Sequence, residues 1–230
     1  MKQLSILERE IVACERCPRL RAWCAQVARV KRRAYRDEEY WGRPVPGFGD
    51  PAARLLVVGL APGAHGANRT GRVFTGDASG DLLYRVLHHS GFANQAESRG
   101  RDDGLRLLGA WISASARCAP PDNKPTPQEI ANCRPFLERE FDLLPQLRVV
   151  VALGKLAFDN WLAILKDRGL VVSRSAYPFA HGAEYAISGA PALIASYHPS
   201  RQNMQTGRLT EEMLLAVFLR AREAVADELR

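Results

Sequence analysis

Apolar positions fall into two alternating patterns along the chain. Four short, continuous apolar runs lie in RLLVVGLAP (54–62), LRLLGAWISASARC (105–118), LRVVVALG (147–154) and PALIASYHPS (191–200). They carry many β-branched residues and stop at Gly or Pro, the pattern of strands buried on both faces. Between them the spacing becomes helical. Helices are predicted over 3–30 with a break near Pro18, over 79–91 with Gly91 as C-cap, over 125–144, over 155–169 and over 209–230. The third of these opens with Thr126 as N-cap, Pro127 in the first turn and Glu129 three residues on, a capping-box arrangement. Residues 31–53 read as an irregular connection in which Trp41 and Phe48 supply buried anchors. No repeat or low-complexity tract is present. Strand–helix alternation of this kind means an α/β fold with a mostly parallel, four-stranded central sheet and right-handed crossovers, expected to form a single domain over 1–230.

Ligands of such sheets bind beyond the carboxyl ends of the strands. The segments to inspect are therefore GLAPGAHGANRTGRVFTGD (59–77), RCAPPDNKPTP (117–127) and YHPSRQNMQTGR (197–208). The first has no G-x-G-x-x-G. It does have Gly66 and Gly71 at the spacing of a phosphate loop, but Arg72 and Val73 replace the Lys and the hydroxyl residue, which argues against nucleotide triphosphate hydrolysis. Its glycines let backbone N–H groups at Gly63, Ala64, His65 and Gly66 approach a ligand. Phe74 offers a stacking face, and Asp77 is the segment's single carboxylate. The competing reading is a glycine-rich turn with a core Phe and a helix-capping Asp. In the last segment His198, next to Pro199, can donate a hydrogen bond into a cleft, and Arg201, Gln202, Asn203 and Arg208 form a polar loop that suits DNA.

Charge sharpens that picture. The 230 residues hold 32 Lys+Arg against 25 Asp+Glu, a net charge of +7, and only five of the basic residues are lysine. An arginine-dominated excess fits a polyanionic partner, since guanidinium binds phosphate bidentately; an arginine-favouring composition on a solvated surface is the plainer account. No apolar run approaches the roughly 20 residues of a membrane span. The first residues show no signal-peptide core, so a cytoplasmic protein acting on chromosomal DNA, without membrane attachment and monomeric, is expected.

Five cysteines, Cys14, Cys17, Cys24, Cys118 and Cys133, are an odd set for a disulfide framework. Cys14 and Cys17 form C-x2-C, whereas zinc sites usually present two close pairs. Dispersed thiolates suit an iron–sulfur cluster, with Cys24 as a spare or alternative ligand; small buried thiols without metal remain the third reading.

Taken together, the three strand-end segments resemble the iron–sulfur uracil-DNA glycosylases, specifically the B-type, family 5 of that superfamily. The resemblance runs from Cys14 to the terminal helix. Leu60 stands where the A-type has an acidic residue, and ISASARC lacks the A-type Asn, both of which favour the B-type. The resemblance implies a three-layer α/β/α sandwich and a [4Fe-4S] cluster held by Cys14, Cys17, Cys118 and Cys133, leaving Cys24 out. It implies an enzyme that flips uracil, and other deaminated bases such as hypoxanthine, out of DNA and hydrolyses the N-glycosidic bond, leaving an abasic site. Asp77, His198 and Asn123 are then the catalytic residues, residues 63–66 and Phe74 hold the base, and Arg201, Gln202, Asn203 and Arg208 contact DNA. Two rival classes are a non-catalytic iron–sulfur module that only binds nucleic acid, and an enzyme acting on free nucleosides.

Overall fold

The computed structural model describes residues 2–226. Its sheet has six strands in the order β1-β3-β2-β4-β6-β5: β1 (Phe48–Gly49), β2 (Leu55–Gly59), β3 (Ala110–Ala114), β4 (Val149–Leu153), β5 (Glu184–Tyr185) and β6 (Ala192–Ser196). The four expected strands form the parallel centre, with Leu55 opposite both Ala110 and Val149, and Val149 opposite Ala192. The expected four-stranded sheet is thus extended at each edge by an antiparallel pairing, β1 on β3 and β5 on β6. Each edge strand is two residues long and only partly buried or exposed, too short to leave an apolar run in the sequence.

Alternate strand residues face opposite layers, as the pleat requires. Leu55, Val57, Ile112, Val149, Val151 and Ile194 pack under α4 (Ala78–His89) and α8 (Glu211–Ala226). Leu56, Val58, Val150, Ala152, Leu193 and Ala195 pack under α6 (Lys155–Asp167), with Leu137 from α5 (Pro127–Leu143). Each large side chain so buried contributes roughly 1.5–3 kcal/mol, and the two layers make the expected sandwich.

The predicted N-terminal helix is two, α1 (Lys2–Val12) and α2 (Pro18–Val30), with Pro18 opening the second rather than kinking one. Gly91 follows α4 with a positive φ; its N–H bonds the His88 carbonyl and that of Phe92 bonds Leu87, closing a Schellman turn. On α5 the Thr126–Glu129 capping box is formed. Two short helices complete the set, α3 (Ala67–Thr70) and α7 (Arg201–Gln205). The terminal helix begins at Glu211 rather than 209, and residues 227–230 of its expected span lie outside the described residues. Among the described residues no helix is long and apolar enough to cross a membrane.

Candidate active site

The carboxyl ends of β2, β4 and β6 converge, and the loops leaving them carry the candidate chemistry. Asp77 is the N-cap of α4: its Oδ1 accepts the backbone N–H groups of Ser79 and Gly80 at 3.1 and 3.2 Å. That satisfies one oxygen only. The other, Oδ2, faces the loop leaving β2. A Cβ on Gly63 would lie 2.7 Å from it and a Cβ on Gly66 would collide with it, so glycine at both positions is what lets the loop backbone close on the carboxylate. Burial raises the proton affinity of Asp77 above the ordinary range; its two backbone hydrogen bonds oppose that only in part. The capping and catalytic readings of Asp77 are therefore compatible, one on each oxygen.

Phe74 has a φ of 52°, unusual for a non-glycine residue. Its ring lies over Gly59 at the end of β2, where a Cβ would come within 2.6 Å of two ring carbons. What fixes this strained turn is a buried network around Arg72, the residue standing where a phosphate loop has lysine. Its guanidinium donates to Thr75 Oγ1 at 3.2 Å, Ser98 Oγ at 2.7 Å and Asp103 Oδ1 at 2.9 Å. Tyr84 Oη adds a bond to the Val73 carbonyl at 2.8 Å. Sequence reading treated Arg72 only as a missing lysine. Its far partners, 26 and 31 residues away, carry no motif that would have signalled the network.

His198 follows β6. Its ring lies 5.9 Å from that of Phe74, centroid to centroid, at an angle of 30°. Gly154, at the end of β4, makes room for it: a Cβ there would meet His198 Cβ at 3.2 Å. Among the described residues the imidazole has no hydrogen-bond partner, and burial pushes its pKa down to about 4. It is therefore neutral near pH 7 and free to donate one N–H. His65 accepts or donates at Nδ1 with Tyr40 Oη, 3.0 Å away, while Arg69 ties its carbonyl at 2.8 Å to Gly76 at 3.0 Å, bracing the loop across its width.

Asn123 lies apart from this group. It is exposed in a one-turn 3-10 helix, Pro121–Asn123, with Asp122 and Asn123 both at positive φ, and its side chain makes no hydrogen bond among the described residues. The expected polar loop 201–208 contains a short helix, α7, capped by Ser200 Oγ on the Asn203 N–H at 3.3 Å. Arg201 and Gln202 are exposed on it. Asn203 turns inward, donating from Nδ2 to the His198 carbonyl at 2.8 Å, and Arg208 stacks on Tyr197 at 4.6 Å.

The cysteines gather where α1, α2, the segment after β3 and α5 meet. Cys17 stands at the N-cap position of α2, and its sulfur accepts from Asn132 Nδ2 at 3.4 Å. Contact with the Cys24 thiol, then burial, then Cys133 push Cys118 far up, and Cys133 is raised by burial with Cys17 and Cys14 nearby. Cys24 is fully buried, 3.5 Å from the Ala119 carbonyl. Among the described residues no three His, Cys, Asp or Glu side chains converge on one ion position. Behind them Arg117 and Glu140, both 1% exposed, form a buried ion pair at 2.6 Å.

The arrangement has counterparts among known proteins. The family model for the uracil DNA glycosylase superfamily matches residues 46–222. A type-5 uracil-DNA glycosylase of Thermus thermophilus is 56% identical over 212 residues, 92% of this chain and 94% of that protein. Another, of Mycobacterium tuberculosis, is 48% identical over 219 residues, 95% of this chain and 80% of the relative. One of Pyrobaculum aerophilum is 46% identical over 211 residues, 92% and 88%. A carboxylate under a glycine loop, an aromatic face and a neutral histidine at the ends of β2 and β6 thus sit within a chain that belongs to the uracil-DNA glycosylase superfamily, among its type-5 members.

Proposed function

We infer that this chain is a DNA-repair glycosylase that releases uracil from DNA by hydrolysing the N-glycosidic bond. The observation that carries the reading is the presence at the strand ends of a half-capped carboxylate, Asp77, closed on by the Gly63–Gly66 loop, and of a neutral, unpartnered histidine, His198, whose ring lies beside that of Phe74. Type-5 relatives that match over most of the chain support it.

The target atom is buried in a duplex, so the nucleotide must rotate out of the stack. Phe74 stacks on the flipped base, a contact of roughly 1–3 kcal/mol by analogy with other base–aromatic contacts. The C1′–N1 bond then breaks with its electron pair staying on the base. His198 donates its N–H to a carbonyl oxygen of the departing anion, helped by the backbone N–H groups of residues 63–66. Asp77 Oδ2 orients a water whose oxygen bonds to C1′ and takes its proton. Asn123, exposed in its one-turn helix after β3, contacts the base or the water in the DNA complex. Hypoxanthine and related deaminated bases present a carbonyl oxygen to the same donor and belong to the proposed substrate range. Arg201, Gln202 and Arg208 bind phosphates, and Asn203 shapes the loop.

The sulfur donor set fits an iron–sulfur cluster. Cys14, Cys17, Cys118 and Cys133 come from three separate segments, all are free thiols, and Cys133 lies within electrostatic reach of each of the other three. In a [4Fe-4S] cluster each thiolate holds a different iron, so convergence on one ion position is not required. These four residues would hold it, and it would supply iron–thiolate cross-links joining the α1–α2 hinge, the segment after β3 and α5.

The test is base release from a duplex containing a single uracil, run beside free deoxyuridine. Release from the duplex alone is expected. Binding without release, or preference for the nucleoside, would overturn the reading.

A further inference from the structure

We infer that His181 is a positioning residue for His198: it holds the backbone of the segment that presents the imidazole, through the N–H of Tyr197. The inference rests on the reading of His198 given above.

β6 ends at Ser196, so the backbone of residues 197–199 has lost its ladder partners and needs others. Side chains supply them. The Tyr197 N–H donates to His181 Nδ1 at 3.2 Å, and the Ser196 hydroxyl donates to the Tyr197 carbonyl at 2.9 Å. The next carbonyl, that of His198, accepts from Asn203 Nδ2 at 2.8 Å. His198 is thus clamped on both sides by side chains from outside its own strand. The His181 ring also stacks on Tyr197, with centroids 5.1 Å apart and planes 26° apart. Two backbone bonds seat His181 there: Gly182 N–H to the Ala195 carbonyl and Ala195 N–H to the Ala183 carbonyl, both 2.8 Å.

The Tyr197 bond fixes the chemistry required. Nδ1 must be an acceptor, so the ring is neutral and its proton sits on Nε2. Burial supports this by holding the proton affinity of His181 below its ordinary value, against a hydrogen bond to the Met213 backbone that favours the charged form. Of the two features, ring bulk and acceptor, the acceptor is what aims His198.

Two substitutions separate them. His181→Phe keeps a ring on Tyr197 and removes the acceptor. His181→Asn places an amide oxygen near the Nδ1 position and removes the stack. Single-turnover uracil release at saturating enzyme should fall about 10- to 100-fold in His181→Phe, the scale of a small misplacement of a reacting group. Duplex affinity should stay within about 2-fold, since no phosphate contact is touched. His181→Asn should recover most of the rate, and amide exchange at Tyr197 should be protected in it and fast in His181→Phe. Wild-type release by His181→Phe, or equal loss in both variants, overturns the inference. If His181→Phe does not fold, His181→Asn alone decides: near-wild-type release with a protected Tyr197 amide supports it, and loss overturns it. His198→Ala is run in parallel. Full activity there would instead overturn the role of His198.

Discussion

Asp77 has two oxygens in different settings, one capping α4 and the other the proposed base, so the two roles can be tested separately. Asn caps a helix as well as Asp, so Asp77→Asn should unfold at nearly the wild-type temperature. The acid side of the pH–rate profile is where the carboxylate shows. A base acts only when ionised, so release should decline as pH falls through the raised Asp77 pKa. Replacing Asp77 should flatten this limb of the profile measured under single-turnover conditions. Stability carries a separate sign. A histidine whose folded pKa lies near 4 takes up its proton first in the unfolded chain, so its contribution to stability falls as pH drops from about 6.5 toward 4. His198→Ala should therefore soften acid unfolding over that window in a denaturant titration. Gly66→Ala is a second test at this scale. The new Cβ would strike Asp77 Oδ2, so release should drop at least about 10-fold while α4 remains capped; full activity would show that the carboxylate and the loop need not touch.

At the scale of elements, what positions the site is the hardware beneath it. The turn carrying Phe74 stays in its left-handed conformation because Arg72 spans Thr75, Ser98 and Asp103 from within the fold. Arg72 is 3% and Asp103 12% exposed at the side chain. Removing one partner of a buried pair strands the other, at a cost of about 3–5 kcal/mol. Arg72→Ala should lose that much in chemical denaturation and release uracil slowly even where it remains folded, because the Phe74 ring has lost its seat. The capping box of α5 offers a milder comparison: Thr126→Ala should cost about 1 kcal/mol without changing release.

For the whole molecule, the alternation of buried runs and helical stretches was enough to foresee the parallel centre, its two helical layers and the strand ends where chemistry collects. The glycine loop and His198 were legible as candidates because each sits within a few residues of a strand end, and Phe74 and Asp77 because they lie in the single glycine-rich segment that leaves β2. What stayed hidden depends on distant partners or on very short pairing. β1 and β5 are two residues each; α7 looks like polar loop because its order comes from Ser200 and from Asn203 reaching back to His198; Arg72 and His181 work through partners such as Asp103 and Tyr197, 31 and 16 positions away. The net charge of +7 bears on the molecule as a whole. Duplex affinity should fall with salt at a slope near −0.9 per phosphate neutralised, and Arg201→Ala should lower that slope by about one without regard to sequence. The proposed cluster predicts about four irons per chain with broad visible absorption, lost in Cys118→Ser and kept in Cys24→Ser; stoichiometric zinc without iron would contradict it. The most direct test of the central claim is single-turnover release of uracil from a duplex by the wild-type chain and by folded Asp77→Asn. The account predicts release by the wild type and a loss of about 100-fold or more in the variant, with duplex binding intact; equal rates in the two would contradict it.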